Sequence, residues 1–198
     1  MASIEDLKST INGGGGLAQQ NQYMVQMPNV PGTNFTAAER NILCRTTRLP
    51  GRQILTAQRD IGLMKQQMGI GYAVSDIAMS FHVLNDYKSK DYFDKWQNQV
   101  VDQQTQQIRF ANEYKKPVDI YHFKKGQSFQ IFDKNFRVFG INFNIDIELG
   151  RSAQGIYGVQ LLDAFPVTVN GIDLADGSND ATVEVSVSLS YRNWKQIK

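Results

Sequence analysis

The chain has 198 residues, 21 basic and 19 acidic side chains, a net charge of +2, and 41% hydrophobic and 20% charged residues. That composition describes a soluble globular chain with room for one sizeable core, too weakly basic at pI 8.6 to imply nucleic-acid binding by charge. The one cysteine, Cys44, excludes an internal disulfide framework, and two histidines offer no cluster of zinc-site spacing. The N-terminal residues are acidic and lack a long apolar core, so no signal peptide is read and folding in a cytoplasm is expected. No stretch approaches the roughly 18 apolar residues of a spanning helix, so no membrane insertion is expected.

Residues 3–11 place Ile4, Leu7 and Ile11 on one helical face behind a Ser3 and Asp6 pair of capping-box type, and Gly13 to Gly16 cut the helix off. So short a helix needs a surface to dock on. Residues 1–21 are therefore read as an arm on a glycine hinge, and residues 22–198 as a single domain. The glycines lack the Gly-Lys-Ser/Thr of a phosphate loop.

Residues 22–27 and 42–48 read as strands around a Pro- and Gly-containing loop, in which AsnPheThr has the form of a glycosylation sequon. Cys44 is expected to act as a small buried hydrophobe. LeuProGlyArgGlnIle then turns the chain into a long hairpin with arms at 54–61 and 76–83 and a tip at 62–71. Leu63, Met64, Met68 and Ile70 among glycines on that tip suggest a protein interface, the alternative being a tip folded back on its own domain. After Asn85 the period changes to 3.6. Residues 87–102 form an amphipathic helix whose stripe Tyr92, Phe93, Trp96 and Val100 is read as helix-on-sheet core.

The remainder reads as strand: 118–123, 129–132, and a long strand 136–149 with Asn142, Asn144, Asp146 and Glu148 on its polar face. Asp146 and Glu148 are read as neighbours on an open face rather than a catalytic pair, His82 and His122 as structural, and Asp173, Asp176 and Asp180 as lacking EF-hand spacing. Residues 157–169 form a strand that Pro166 must bend, bulge or place at an edge. From Ala181 to Tyr191 every odd position is apolar, against Thr182, Glu184, Ser186, Ser188 and Ser190, a strand about 35 Å long at roughly 3.3 Å per residue. No catalytic constellation, cofactor loop or metal set emerges, so neither an enzyme nor a cofactor is expected. The fold expected is mostly β, an antiparallel sandwich or partial barrel with one packed α-helix.

AlaPheProValThrValAsnGlyIleAspLeuAla, followed by a short polar loop and the alternating strand closing on Tyr191 and Trp194, resembles the C-terminal signature of tail tube proteins of contractile-tailed, T4-like bacteriophages. The resemblance extends through the N-terminal arm, LeuProGlyArgGln, the long hairpin and the AspTyrPheAspLysTrpGln helix, while residues 124–152 look longer than the family's usual connection. It implies a structural subunit whose hexameric rings join strands into a β-barrel and stack into the virion's tail tube. That tube would conduct DNA and tape measure protein during ejection, be assembled in the host cytoplasm, and meet sheath, baseplate and tape measure proteins. On that reading Leu49, Pro50, Gly51, Arg52, Leu63, Met64, Met68 and Ile70 make ring-to-ring contacts, and Ile4, Leu7 and Ile11 dock the arm on a neighbour. The polar faces 142–148 and 182–190 carry no lysine or arginine, which suits a lumen past which DNA slides without specific binding. A baseplate tube initiator or the tube of a contractile injection system is the nearer alternative. A ligand- or carbohydrate-binding β-sandwich is the more remote one.

Overall fold

The computed structural model describes residues 3–13, 16–61, 63–123, 137–138, 141–142, 155–172, 174 and 182–197. Their elements in chain order are α1 (Ile4–Gly13), β1 (Tyr23–Gln26), α2 (Ala37–Ile42), β2 (Cys44–Thr46), β3 (Gln53–Ile61), β4 (Met64–Ala73), β5 (Ile77–His82), α3 (Lys88–Val100), α4 (Ala111–Tyr114), β6 (Lys116–Phe123), β7 (Arg137–Val138), β8 (Ile141–Asn142), β9 (Gly155–Val169), β10 (Glu184–Ser190) and β11 (Asn193–Gln196). The fold is a mostly antiparallel, curled half-barrel sheet with few helices, as the patterning implies. The main sheet has 7 strands in the order β1-β6-β9-β10-β5-β2, with β11 also paired to β9.

The alternation of the last long strand sets the inner layer. Val185, Val187, Leu189 and Tyr191 are buried, while Glu184, Ser186, Ser188 and Ser190 are only half-buried on the opposite face. On β5, Ile77, Met79 and Phe81 face the same core and pair with Leu189, Val187 and Val185. Helix α3 closes this layer with Tyr92, Phe93 and Trp96, all fully buried, whereas Val100 is half-buried at the helix end. The rings meet one another and the sheet: Phe93 lies 4.9 Å from Phe81, and Tyr92 is edge-on to Phe93 at 5.0 Å and to Trp96 at 5.9 Å. Each buried polar tip finds a carbonyl, Tyr92 Oη donating to Pro28 O at 2.7 Å and Trp96 Nε1 to Tyr114 O at 2.8 Å.

Several expected elements are corrected. Residues 42–48 are not one strand: Thr36 caps α2 in a capping box with Glu39, and only Cys44–Thr46 is extended. The ThrXaaXaaGlu spacing was the available signal, read instead as part of a sequon. Residues 76–83 are not the second arm of the hairpin. β3 pairs with β4, so 64–73 is strand rather than tip, and β5 belongs to the main sheet. The Gly- and Gln-rich run of β4 lacks strand propensity of its own and is extended by its pairing. Around 136–149 the described residues form the small pair β7 and β8, reversing between Val138 and Ile141, not one continuous strand. The C-terminal residues Asn193–Gln196 form a further strand, β11, paired with β9.

Strand β9 shows what Pro166 does. Asp163 takes a left-handed conformation (φ 58), and the register with β10 slips so that Pro166 faces Leu189 while Thr168 faces Ser188. Val167 is the extra residue, and its free carbonyl accepts a hydrogen bond from Gln97 Nε2 of α3 at 3.1 Å. The buried phase changes first at Asp163, from Val159 and Leu161 to Ala164 and Pro166, and the extra Val167 is exposed.

Cys44 is buried as expected, and burial pushes its thiol up to about 12 from an ordinary 9.0. Because the folded value lies above the unfolded one, the neutral thiol's contribution is present below pH 9 and lost as pH rises towards about 12. Thiol-reagent labelling at about pH 8 is expected only through unfolding, and fast labelling of native protein would contradict the burial. Trp96→Ala should lower the unfolding free energy by about 3–5 kcal/mol in a denaturant titration.

Candidate assembly surfaces

β3 and β4 form a ribbon outside the main sheet, paired from Gln53 with Ala73 to Ile61 with Met64. A register shift after Leu55 leaves Ile70 without a counterpart. At about 3.4 Å per residue β4 extends about 34 Å. Its described side chains are exposed apart from half-buried Ala73, so the ribbon buries almost nothing against its own chain. Reading the pairs alternately places Leu55, Ala57, Met64 and Met68 on one side together with Arg59 and Gln66, and Thr56, Gln58, Gln67, Asp60 and Lys65 on the other. Leu63 is fully exposed at the turn, and Met64 and Ile70 are 77% and 68% exposed. Met64, Met68 and Ile70 thus lie along a strand, and only Leu63 occupies the tip. A two-stranded ribbon is marginal by itself, and this one leaves Leu55, Met64, Met68 and Ile70 exposed.

The loop 49–52 lies at the base of the ribbon. Leu49 and Arg52 are exposed, but Arg52 is engaged within the chain. Its guanidinium lies 5.1 Å from the centre of the Tyr72 ring and 4.9 Å from that of Trp194, and donates to Asn193 Oδ1 at 3.0 Å. Trp194 Nε1 donates to Gly51 O at 3.3 Å. Exposed cation–π contacts of this kind contribute about 0.5–1 kcal/mol each.

The face of the main sheet opposite α3 is polar and small across β2, β5 and β10, and carries Met24 and Tyr121 farther along, on β1 and β6. In the register of β2, β5 and β10, Thr46, Ser80 and Ser186 form one row, with the Ser80 and Ser186 hydroxyls 3.3 Å apart. Ala78, Ser188 and Thr168 form the next. Further along, Gln26, Asp119, Gln160 and Lys195 share a row across β1, β6, β9 and β11, and Gln160 Nε2 donates to Asp119 Oδ1 at 2.8 Å. Burial raises the Asp119 carboxyl from its usual range against the lowering pull of Gln160 and Lys195. Glu184 is paired with Arg45, a cation that alternation within β10 does not reveal. Thr182 is exposed ahead of the strand. Of the other polar face, the backbone of Asn142 belongs to β8, and Asn144, Asp146 and Glu148 lie outside the described residues, as do Asp173, Asp176 and Asp180.

In the arm, Ile4 and Leu7 are exposed and Ile11 is half-buried. Ser3 and Asp6 exchange hydrogen bonds at the helix start, as the capping-box pattern implies. Sequence reasoning passed over Ile108 and Phe110, both strongly exposed beside the Val101 and Ile108 bridge. His82 and His122 sit apart from each other on β5 and β6, and His122 Nε2 is 2.9 Å from Gln19 O.

A family model described as phage tail tube protein matches residues 18–197. In structure the chain is similar to one from the sheath/tube terminator of the PVC extracellular contractile injection system in its extended state, with TM-score 0.60, 12% identity, and coverage of 92% of this chain and 97% of that one. It is similar to a chain of the PVC sheath-tube complex in the extended state, with TM-score 0.58, 12% identity and coverage of 91% and 90%. A chain of the 6-fold symmetrised anti-feeding prophage baseplate gives TM-score 0.56, 12% identity and coverage of 91% and 95%. At such identity these likenesses concern the fold. No curated protein matches the chain by sequence.

Proposed function

The chain belongs to the phage tail tube protein family, and on that premise we propose that it is the repeating subunit of a hollow tail tube built from stacked, hexameric rings. The observation that carries this reading is the ribbon β3–β4, about 34 Å long, whose apolar Leu55, Met64, Met68 and Ile70 its own subunit leaves uncovered. Heterologous contacts of this kind, made by one patch on a different patch of the next copy, generate open stacks. The ribbon residues Leu63, Met64, Met68 and Ile70, with Leu49, Pro50, Gly51 and Arg52 at its base, form the ring-to-ring contact. Residues 1–21 form an arm that docks Ile4, Leu7 and Ile11 on a neighbour, and residues 22–198 form the tube domain.

Within a ring, the edges of β1 and β2, which end the sheet among the described residues, are the natural places for neighbouring sheets to join, since closure removes exposed backbone donors and acceptors. The helix α3 then lies outside and the hydroxyl rows of Ser186 and Ser188 inside. The rows of Ser80, Ser186 and Ser188 offer DNA's phosphates no cations to hold it, while Lys195 lies farther along that face and Arg45 is paired with Glu184. Sheath, baseplate and tape measure proteins are the expected partners, in the tail of a particle assembled in the host cytoplasm. The fold shared with chains of extracellular contractile injection systems supports a second reading, a tube for protein cargo, and the cargo found in purified particles separates the two.

Electron microscopy of purified protein over a concentration series should show stacked rings or tubes; monomers alone at high concentration would count against the reading. Met64→Asp with Met68→Asp should leave a folded subunit whose critical concentration for assembly rises by about a hundredfold, the scale of two apolar anchors lost. Ser186→Lys with Ser188→Lys should slow DNA delivery by assembled particles, and unaltered delivery would place this face away from the channel.

A further inference from the structure

Among the described residues the chain enters the ribbon through 49–52 and leaves it through 74–76. About 30 Å from such a pivot, a tilt of about 10° moves the tip by about 5 Å, a full strand spacing, so a contact made near the tip depends on what holds the base. Arg52 stands at that base. Its guanidinium lies over a ring of the ribbon, Tyr72 on β4, at 5.1 Å and over a ring of the main sheet, Trp194 on β11, at 4.9 Å. It also donates to Asn193 Oδ1 at 3.0 Å, while Asn193 Nδ2 donates to Tyr72 Oη at 3.3 Å and Trp194 Nε1 to Gly51 O at 3.3 Å. The entry of β3, the exit of β4 and the start of β11 are thus joined through one planar cation.

We propose that Arg52 is a positioning residue for assembly, an intrachain latch that sets the angle at which the ribbon leaves the sheet before any neighbour is met. The proposal rests on the tube reading for its consequence but not for its geometry. It also changes the part Arg52 plays, from a group that touches the next ring to one that aims Met64 and its neighbours at it. A pre-aimed ribbon does not have to be ordered during docking, so the latch lowers the entropic cost of each contact. A lysine keeps the charge but lacks the planar fork that meets two rings and donates at once.

The test uses the full chain. Spin labels are placed at Gln66→Cys on the ribbon and Asn98→Cys on α3, Cys44 being buried. In dilute, unassembled protein, Arg52→Ala should widen the label-to-label distance distribution by about twofold with an unchanged thermal midpoint, and Arg52→Lys should only partly restore it. Tyr72→Leu, which removes the ribbon's ring from the latch, should reproduce the widening. Arg52→Ala should also raise the critical concentration for assembly by about tenfold. An unchanged distribution in both Arg52→Ala and Tyr72→Leu overturns the latch, and a widened distribution with undiminished assembly overturns its positioning role. If the unsubstituted protein never assembles, the tube reading fails and the positioning role with it, while the distance distribution still decides whether the latch exists.

Discussion

Tyr92, Phe93 and Trp96 on one stripe of α3 cover the apolar face that β5, β9 and β10 present, and the remaining geometry follows from that seal. Fully burying side chains of this kind contributes about 1.5–3 kcal/mol each, far more than the exposed ion pairs Lys90–Asp94 and Lys95–Asp91 along the same helix. Once the helix occupies one face, only the other is free to line a channel, and it carries the small hydroxyl side chains. The helix also meets one irregularity of the sheet, since Gln97 donates to the carbonyl of the extra residue Val167. The same packing that stabilises the monomer therefore assigns an outside and an inside to the proposed ring.

The monomer is an incomplete object in a specific way. Its core is sealed, yet among the described residues β1 and β2 end the sheet without a further strand, and the ribbon β3–β4 holds Met64, Met68 and Ile70 exposed. Each of these is a liability in a solitary protein and an asset in a polymer. Two sorts of contact are implied, lateral at the strand edges and axial at the ribbon, which is what a stack of rings requires. Arg52 and its two rings tie the ribbon to β11, which pairs with β9 within the main sheet.

Much of this was legible in the chain. Val185, Val187 and Leu189 on the core side and Ser186 and Ser188 opposite follow directly from a period of two, and the stripe of α3 from a period of 3.6. Pro166 announced a bulge. The hairpin was legible as a protrusion but not in its pairing, because its second strand, MetLysGlnGlnMetGlyIleGlyTyrAla, has neither alternation nor propensity and is extended by its neighbour. The strand β11 was missed for a similar reason: four residues ending in a basic tail carry too short a pattern to show a period.

The sequence by itself determined which residues seek the core, where the helix stripe lies and that one polar face would be free of its own lysines and arginines, because these are properties of side chains at fixed intervals along one element. The tertiary structure alone decided which strand pairs with which, that Arg45 reaches across to Glu184, and that Arg52 lies over Tyr72 and Trp194. Those partners are separated by 139, 20 and 142 positions, as their residue numbers give, and no local periodicity encodes a meeting at that range. Such meetings depend on the register of whole strands, which is settled by the burial of every residue in them at once.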